Sequence, residues 1–288
     1  MNVELVLDAR AQLGEGALWD GRQQRLLWVD ILGKALHVFD PVSRTDRVYD
    51  VGQLIGTVVP RQRGGAMVAL QTGIHAFDYA TGALTFLCHP EAEKPGNRFN
   101  DGKCDPAGRF WAGTMSLKGT GTHGALWRFD HDLLHQRMLD AVSISNGIVW
   151  TRDAMYYIDT PTGRVDAFDY DNVTGHIANR RVAITIAPGT GHPDGSTLDA
   201  KGMLWIAHWD GWRVTRWNPL TGQCLQTINV PAAQVTSCAF GGPDLADLYI
   251  TTARTGLNDE QLRDQPHAGG VFRVRPGVRG LPAHEFAG

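Results

Sequence analysis

Six short apolar runs recur along this 288-residue chain, beginning near positions 26, 66, 109, 154, 203 and 247. A period of about forty to fifty residues with three or four strands per unit is the signature of a β-propeller blade. Each unit repeats one pattern: an apolar strand, a second strand closing on an aromatic and a polar residue, and a third strand. In the first unit these are Leu26-Leu-Trp-Val-Asp, Leu36-His-Val-Phe-Asp and Asp46-Arg-Val-Tyr-Asp-Val. In the fifth they are Met203-Leu-Trp-Ile-Ala, Val214-Thr-Arg-Trp-Asn and Cys224-Leu-Gln-Thr-Ile. The sixth has Asp247-Leu-Tyr-Ile-Thr, Gly270-Val-Phe-Arg-Val and a last weak strand. The turns agree, since Thr81-Gly82, Thr174-Gly175 and Thr221-Gly222 put glycine where a hairpin needs positive φ. Val3-Glu-Leu-Val-Leu precedes the first unit and is expected to supply the outer strand of the sixth blade, closing the ring and removing its free edges. Only Asn258-Asp-Glu-Gln-Leu-Arg reads as helix, capped by its Asn or Asp. The expected fold is all-β, a single six-bladed β-propeller over residues 1–288, with the mouth of its central channel as the place for a site.

Composition narrows the function. A net charge of −3 with scattered Lys and Arg excludes a nucleic-acid surface, which needs a basic stripe. No run approaches the length of a membrane span, and Met-Asn-Val-Glu-Leu-Val-Leu-Asp lacks the basic and long apolar regions of a secretion signal. Cys88, Cys104, Cys224 and Cys238 form no Cys-x-x-Cys pair and are expected to be reduced. A cytoplasmic protein without an obligate protein partner is the expectation.

Four oxygen-bearing side chains hold matching places in four units. Glu15, Asn100, Asn146 and Asp194 each stand eight to eleven residues ahead of an apolar strand, in a polar stretch beside glycine. Blades two and six have the plainer Gly56-Thr57 and Thr236-Ser237 there. If the units circle an axis, the four side chains meet at the channel mouth. Two carboxylates brought that close raise each other's pKa unless a cation is shared between them. Oxygen donors without Cys or His favour a hard divalent ion: calcium, magnesium or manganese, with zinc held only through the carboxylates. One Asp-Gly or Asn-Gly pair means only a turn. Four at one register, one of them a Glu that turns do not favour, point to a site.

The stretch Arg98-Phe-Asn-Asp-Gly-Lys-Cys-Asp-Pro-Ala-Gly-Arg-Phe-Trp-Ala-Gly-Thr-Met resembles the signature of the regucalcin/gluconolactonase (SMP-30-like) family. Ile144-Ser-Asn-Gly, Pro193-Asp-Gly, Ser237-Cys-Ala-Phe-Gly-Gly and Ala268-Gly-Gly-Val-Phe carry the resemblance onward in the same order, from about Leu13 to Val274. The resemblance implies a six-bladed propeller that binds one divalent metal and opens sugar-acid lactones. It implies Glu15, Asn146 and Asp194 as metal ligands, and Arg98 and Asn100 as substrate-binding residues. Calcium is the first expectation for the ion, with zinc, manganese, magnesium or iron as alternatives. After Gly-Thr-Met, animal members of the family carry acidic residues, one of which contacts substrate. This chain has Ser116-Leu-Lys118, so Lys118 takes a substrate-reading position with the opposite charge.

The chemistry these groups can run is ester hydrolysis of aldonolactones such as glucono-, xylono-, arabinono- or galactonolactone. A cation neutralises the charge developing on the carbonyl oxygen. Asp194 is the candidate general base, with a metal-bound water as the alternative. Arg98 and Asn100 suit hydroxyl recognition, one by its fixed donor fork and the other as both donor and acceptor. The competing readings are a non-catalytic calcium-binding regulator and a related propeller esterase or organophosphate hydrolase. Several features have ordinary expectations. Gly119-Thr-Gly-Thr-His-Gly lacks the ending of a phosphate loop and reads as a loop over the mouth. His192 and His208 read as surface or core residues, and Trp28, Trp111 and Trp205 as blade packing. Trp150, Trp209 and Trp212 carry no assignment.

Overall fold

The computed structural model describes residues 2–288 and has six four-stranded antiparallel sheets. The chain opens with β1 (Glu4–Leu7). Blade one is β2 (Gly14–Asp20), β3 (Arg25–Asp30), β4 (Ala35–Asp40) and β5 (Thr45–Asp50). Blade two is β6 (Ile55–Pro60), β7 (Ala66–Leu70), β8 (Gly73–Phe77) and β9 (Leu84–Cys88). Blade three is β10 (Asn97–Cys104), β11 (Phe110–Ser116), β12 (Gly124–Phe129) and β13 (His135–Val142). Blade four is β14 (Ser145–Trp150), β15 (Ala154–Asp159), β16 (Arg164–Asp171) and β17 (His176–Thr185), with a 3-10 turn, Thr160–Thr162, after its second strand. Blade five is β18 (His192–Leu198), β19 (Leu204–Trp209), β20 (Arg213–Asn218) and β21 (Gln223–Asn229). Blade six is β22 (Val235–Gly241), β23 (Asp247–Thr252) and β24 (Val271–Val274), followed in space by β1.

The expected propeller and its count of six are therefore present, with two corrections. The apolar runs that mark the repeat are the second strands of the blades. The innermost strands are the polar, glycine-broken segments before them, so Glu15, Asn100, Asn146 and Asp194 lie in strands rather than in turns. The weak strand expected at the end of unit six is also absent. β1 alone closes that blade, pairing antiparallel with β24 through Glu4–Arg273 and Leu5–Phe272. The one α-helix among the described residues, α1 (Asp259–Asp264), begins at a capping box in which Asn258 and Gln261 bond reciprocally.

Burial follows the radius of the ring. The innermost strands are buried on both faces between neighbouring blades, while outer strands such as β5 are mostly exposed. Trp28, Trp111 and Trp205, all on second strands, are fully buried between blades, as expected of packing residues. The far end of the channel is capped by the chain's own C-terminal segment. Ala200 N donates to Arg279 O (2.8 Å) and Gly280 N to Leu245 O (2.8 Å), holding that segment on blades five and six. Phe286, fully buried, then exchanges backbone bonds with Pro60 O and Gln62 N (2.9 Å each) on blade two. Ala283 and His284 face the inner strands from below, leaving only a small cavity of about 90 Å³. All four cysteines are free thiols. Among the described residues no helix is long and apolar enough to cross a membrane.

Two blades share a buried turn. In Asp105-Pro-Ala-Gly-Arg-Phe-Trp, Asp105 accepts from Arg109 Nε (2.7 Å), Trp111 Nε1 (2.9 Å) and the hydroxyl of Tyr170 in blade four (2.8 Å). In Asp199-Ala-Lys-Gly-Met-Leu-Trp, Asp199 accepts from Trp205 Nε1 (3.1 Å) and Arg216 Nε (2.7 Å). Removing such a carboxylate strands a buried guanidinium and an indole N–H, which costs about 3–5 kcal/mol. Asp105→Ala is expected to lower the melting temperature by roughly 10 °C, with Asp105→Asn in between. A wild-type melting temperature for Asp105→Ala would contradict this role.

Candidate functional site

All six inner strands bulge at one height on the axis. The register breaks between Glu15 and Leu18, Ile55 and Thr57, Phe99 and Gly102, Asn146 and Ile148, Pro193 and Ser196, and Val235 and Ser237. A bulge re-aims the side chain at its position, and here it aims residues at the channel mouth. The glycine after the site residue lets adjacent inner strands approach. A Cβ at Gly147 would lie 2.6 Å from Ser196 Oγ, and one at Gly195 2.6 Å from Ser237 Oγ. The Asn-Gly and Asp-Gly pairs are thus close-packing devices at the ring's centre, not turns.

The mouth is a cavity of about 350 Å³ in which Glu15, Arg98, Asn100, Asn146 and Asp194 meet. Leu13, Met115, Ile144, Pro161 and Trp209 give it apolar lining, and His192 stands at its edge. Five of the six expected site residues are therefore brought together. Lys118 is not among them; it lines a neighbouring cavity with the loop Gly119–Gly124. His208 is a core residue, bonded through Nε2 to Thr215 Oγ1 (2.6 Å), and burial pushes its pKa down to about 4.

A chain of hydrogen bonds fixes the amides across three blades. Arg98 Nη1 donates to Asn100 Oδ1 (2.6 Å), and Asn100 Nδ2 donates to Ser145 O (2.7 Å) and Asn146 Oδ1 (3.0 Å). Asn146 Nδ2 donates to Thr160 Oγ1 (2.8 Å), which donates to Pro193 O (2.8 Å) beside Asp194. This sequence of donors orients Asn146 Oδ1 and leaves Arg98 Nε and Nη2 without partners among the described residues. Thr160 was not legible beforehand, because nothing in Thr-Pro-Thr distinguishes it from any short connection. Trp209 had no assignment and proves to line the cavity.

The carboxylates are electrostatically frustrated. Burial, then the negative charge of Asp101, pushes the Glu15 carboxyl up to about 8, opposed by the Gly16 N–H, Arg98 and Lys103. Burial raises Asp194 well above the ordinary carboxylate range, and Glu15 and Asp101 raise it further. Asp101, buried one residue beyond Asn100, is a functional neighbour that the repeat pattern did not single out. Asp194 Oδ1 is buried with no hydrogen-bond partner. Among the described residues no three His, Cys, Asp or Glu side chains gather closely enough to hold a metal ion by themselves. A cation here therefore depends on amide oxygen as well as carboxylate. Glu15, Asp194 with its unpartnered oxygen, and the oriented Asn146 Oδ1 fit an oxygen-preferring divalent ion.

A family model described as SMP-30/Gluconolactonase/LRE-like region matches residues 13–254. The chain belongs to this family. It is 41% identical over 293 residues to regucalcin of Danio rerio, covering 100% of this chain and 99% of that protein. It is 39% identical over 290 residues to YvrE of Bacillus subtilis (strain 168), whose name proposes a sugar lactone lactonase, covering 100% and 99%. The crystal structure of a calcium-binding protein, regucalcin, from Agrobacterium tumefaciens superposes with a TM-score of 0.94 at 29% identity, covering 98% of this chain and 96% of that one. The family match agrees with the resemblance carried by Arg98–Met115 and the later motifs.

The frustrated pair sets a pH dependence. Glu15 has a folded-state pKa of about 8 against an ordinary 4.5, so the folded chain holds more protons than the unfolded chain between those values. The contribution of Glu15 to the stability of the metal-free protein is then fully present below about 4.5 and is lost as pH rises through about 8. Melting temperatures of chelator-treated protein are expected to fall from pH 5 to pH 8. Added divalent ion is expected to raise them more at pH 8, where fewer protons must be displaced. A flat apo profile that stays flat in Glu15→Gln would contradict the pairing.

Proposed function

We propose that this protein is a metal-dependent hydrolase of sugar-acid lactones, a carboxylic-ester hydrolase that opens an aldonolactone to its aldonic acid. The observation that carries the reading is the convergence, in one cavity, of an oxygen donor set for a cation with a guanidinium that keeps Nε and Nη2 open beside it. Glu15, Asn146 and Asp194 hold the ion, calcium first by the regucalcin relatives. The chemistry such an ion supplies is Lewis-acid polarisation of an ester carbonyl.

The chain's own residues do the rest. Arg98, held through Nη1 by Asn100, offers Nε and Nη2 to the hydroxyls of a polyhydroxylated ring. Asn100 has committed both amide hydrogens to Ser145 O and Asn146 Oδ1, which leaves one lone pair of Oδ1 for a substrate hydroxyl. The apolar lining from Leu13, Ile144 and Trp209 excludes water from around the ester and strengthens those polar contacts. Asp194 has two carboxylate oxygens, so it would give one to the ion and accept with the other the proton that an attacking water loses. The tetrahedral intermediate then collapses by breaking the ring C–O bond, and the ring oxygen takes a proton to become the hydroxyl of the open acid. No side chain is acylated. YvrE's name supports this reading; the description of the Agrobacterium regucalcin as a calcium-binding protein supports calcium binding, and a second reading is that binding alone.

Proton release from a panel of aldonolactones, measured against the spontaneous rate before and after metal removal and reloading, separates the two. We expect metal-restored acceleration in wild type. Asp194→Asn, compared folded and metal-loaded, should lose roughly two orders of magnitude, within the range of a lost general base. One ion bound per chain with no acceleration of any lactone would leave only the calcium-binding reading.

A further inference from the structure

Beside the mouth lies a second, larger cavity of about 750 Å³, whose polar lining includes Lys94, Ser116, Lys118, Thr120, Thr122 and His123. The two cavities adjoin along the end of one strand pair. Arg98 and Met115, register partners, line the first, while the next pair, Asn97 and Ser116, lines the second. One strand residue is about 3.3 Å of rise, so a group a few bonds from a ring in the first cavity comes within reach of the second.

The second cavity has a tethered frame. Leu117 N donates to Gly96 O (2.8 Å), Gly119 N to Ser116 O (2.9 Å) and Lys118 N to Ser116 Oγ (3.2 Å), holding the start of the loop. Its far end is held by Asn97 Nδ2, which donates to His123 O (2.9 Å) and to the buried Glu91 Oε2 (2.8 Å). The charges within this frame do not balance internally. Asp140, the carboxylate in the lining, is paired with Arg137 Nε at 2.8 Å. Lys94 Nζ lies 3.5 Å from Glu91 Oε1, an oxygen that also takes the Trp127 indole N–H at 3.1 Å. The Lys118 ammonium has no partner among the described residues, nor has the imidazole of His123. The cavity therefore presents ammonium, imidazole and hydroxyl donors and no free carboxylate.

We propose that this second cavity is an anion subsite, so that the preferred lactone carries a phosphate or carboxylate on the carbon chain beyond its ring. Lys118 is its principal cation, with Lys94 and His123 as the flanking donors. The substrate class rests on the lactonase reading above, but the subsite itself does not. An anion among these mostly exposed ammonium, imidazole and hydroxyl donors forms charge-assisted hydrogen bonds, which are about twice as strong as neutral ones. A terminal hydroxyl in the same place leaves the Lys118 ammonium uncompensated.

Calorimetry on the full-length, divalent-ion-loaded protein tests the subsite without depending on turnover. The probes are gluconate, 6-phosphogluconate and glucarate, which share one carboxylate and differ only at the far carbon. Wild type should bind one or both of the doubly anionic acids at least roughly tenfold more tightly than gluconate, the size of one such charge pairing. Which of the two gains affinity distinguishes phosphate from carboxylate. That ratio should collapse toward unity in Lys118→Met or in Lys94→Met/Lys118→Met, and invert in Lys118→Glu. Equal binding of all three acids by wild type overturns the proposal, and so does discrimination that survives in a folded double variant. The kcat/KM ratio of 6-phosphogluconolactone to gluconolactone should follow the same order. If no lactone is hydrolysed while the binding ratio holds, the lactonase reading fails and the anion subsite stands.

Discussion

Two carboxylates share the axis of this ring, and the structure around them is arranged by that fact. Glu15 and Asp194 come from blades one and five and are buried; burial and Asp101 push both toward the protonated form, and Glu15 raises Asp194 further. Arg98 and Lys103 offset the accumulated negative charge only in part. A buried charge left unbalanced is costly, so the neighbourhood either takes up protons or a cation. The amides are oriented accordingly. The relay from Arg98 through Asn100 and Asn146 to Thr160 commits the amide hydrogens and fixes the amide planes, leaving acceptor capacity on the two amide oxygens in the same cavity as the carboxylates.

The propeller supplies the rigidity that such a site needs. An inner strand packed on both sides by neighbouring blades has little freedom, and its bulge sets one side-chain direction. Blades two and six show what the same position does without a functional side chain. Thr57 Oγ1 donates to Gly102 O in blade three (2.8 Å), and Thr236 Oγ1 donates to Gly14 O in blade one. These hydroxyls stitch adjacent inner strands together. β1 closes the ring at its rim, and the segment ending in Phe286 closes the far end of the channel. One mouth is left open, and it is the one that Glu15 and Asp194 face. A propeller alone specifies no chemistry; the identity of the residues at six bulges does.

The neighbouring cavity extends this logic from charge at the axis to charge at the rim. Lys94 lies in the connection from blade two to blade three and Lys118 just beyond β11, both near the Asn97–Ser116 pair next to Arg98, and they are compensated only in part. The loop Gly119–Gly124 is thus neither a phosphate loop nor a bare connection. It is tied down by Asn97 and Ser116, and its side chains form one side of a pocket.

By itself the sequence determined the repeat, the number of blades, the closing role of the N-terminal strand and the common register of Glu15, Asn100, Asn146 and Asp194. Those are local or periodic properties: apolar second strands, hairpin glycines and a polar residue eight to eleven positions ahead of each survive in one dimension. The innermost strands were not legible as strands, because a bulge with glycine and a buried Asp or Asn breaks the alternation by which a strand is recognised. Only the tertiary structure decided that Lys118 stands outside the mouth and that Thr160, Asp101 and Trp209 belong beside it. Their places depend on how neighbouring blades face one another across the axis, and on burial that turns ordinary carboxylates into a strained pair. No spacing along the chain encodes either.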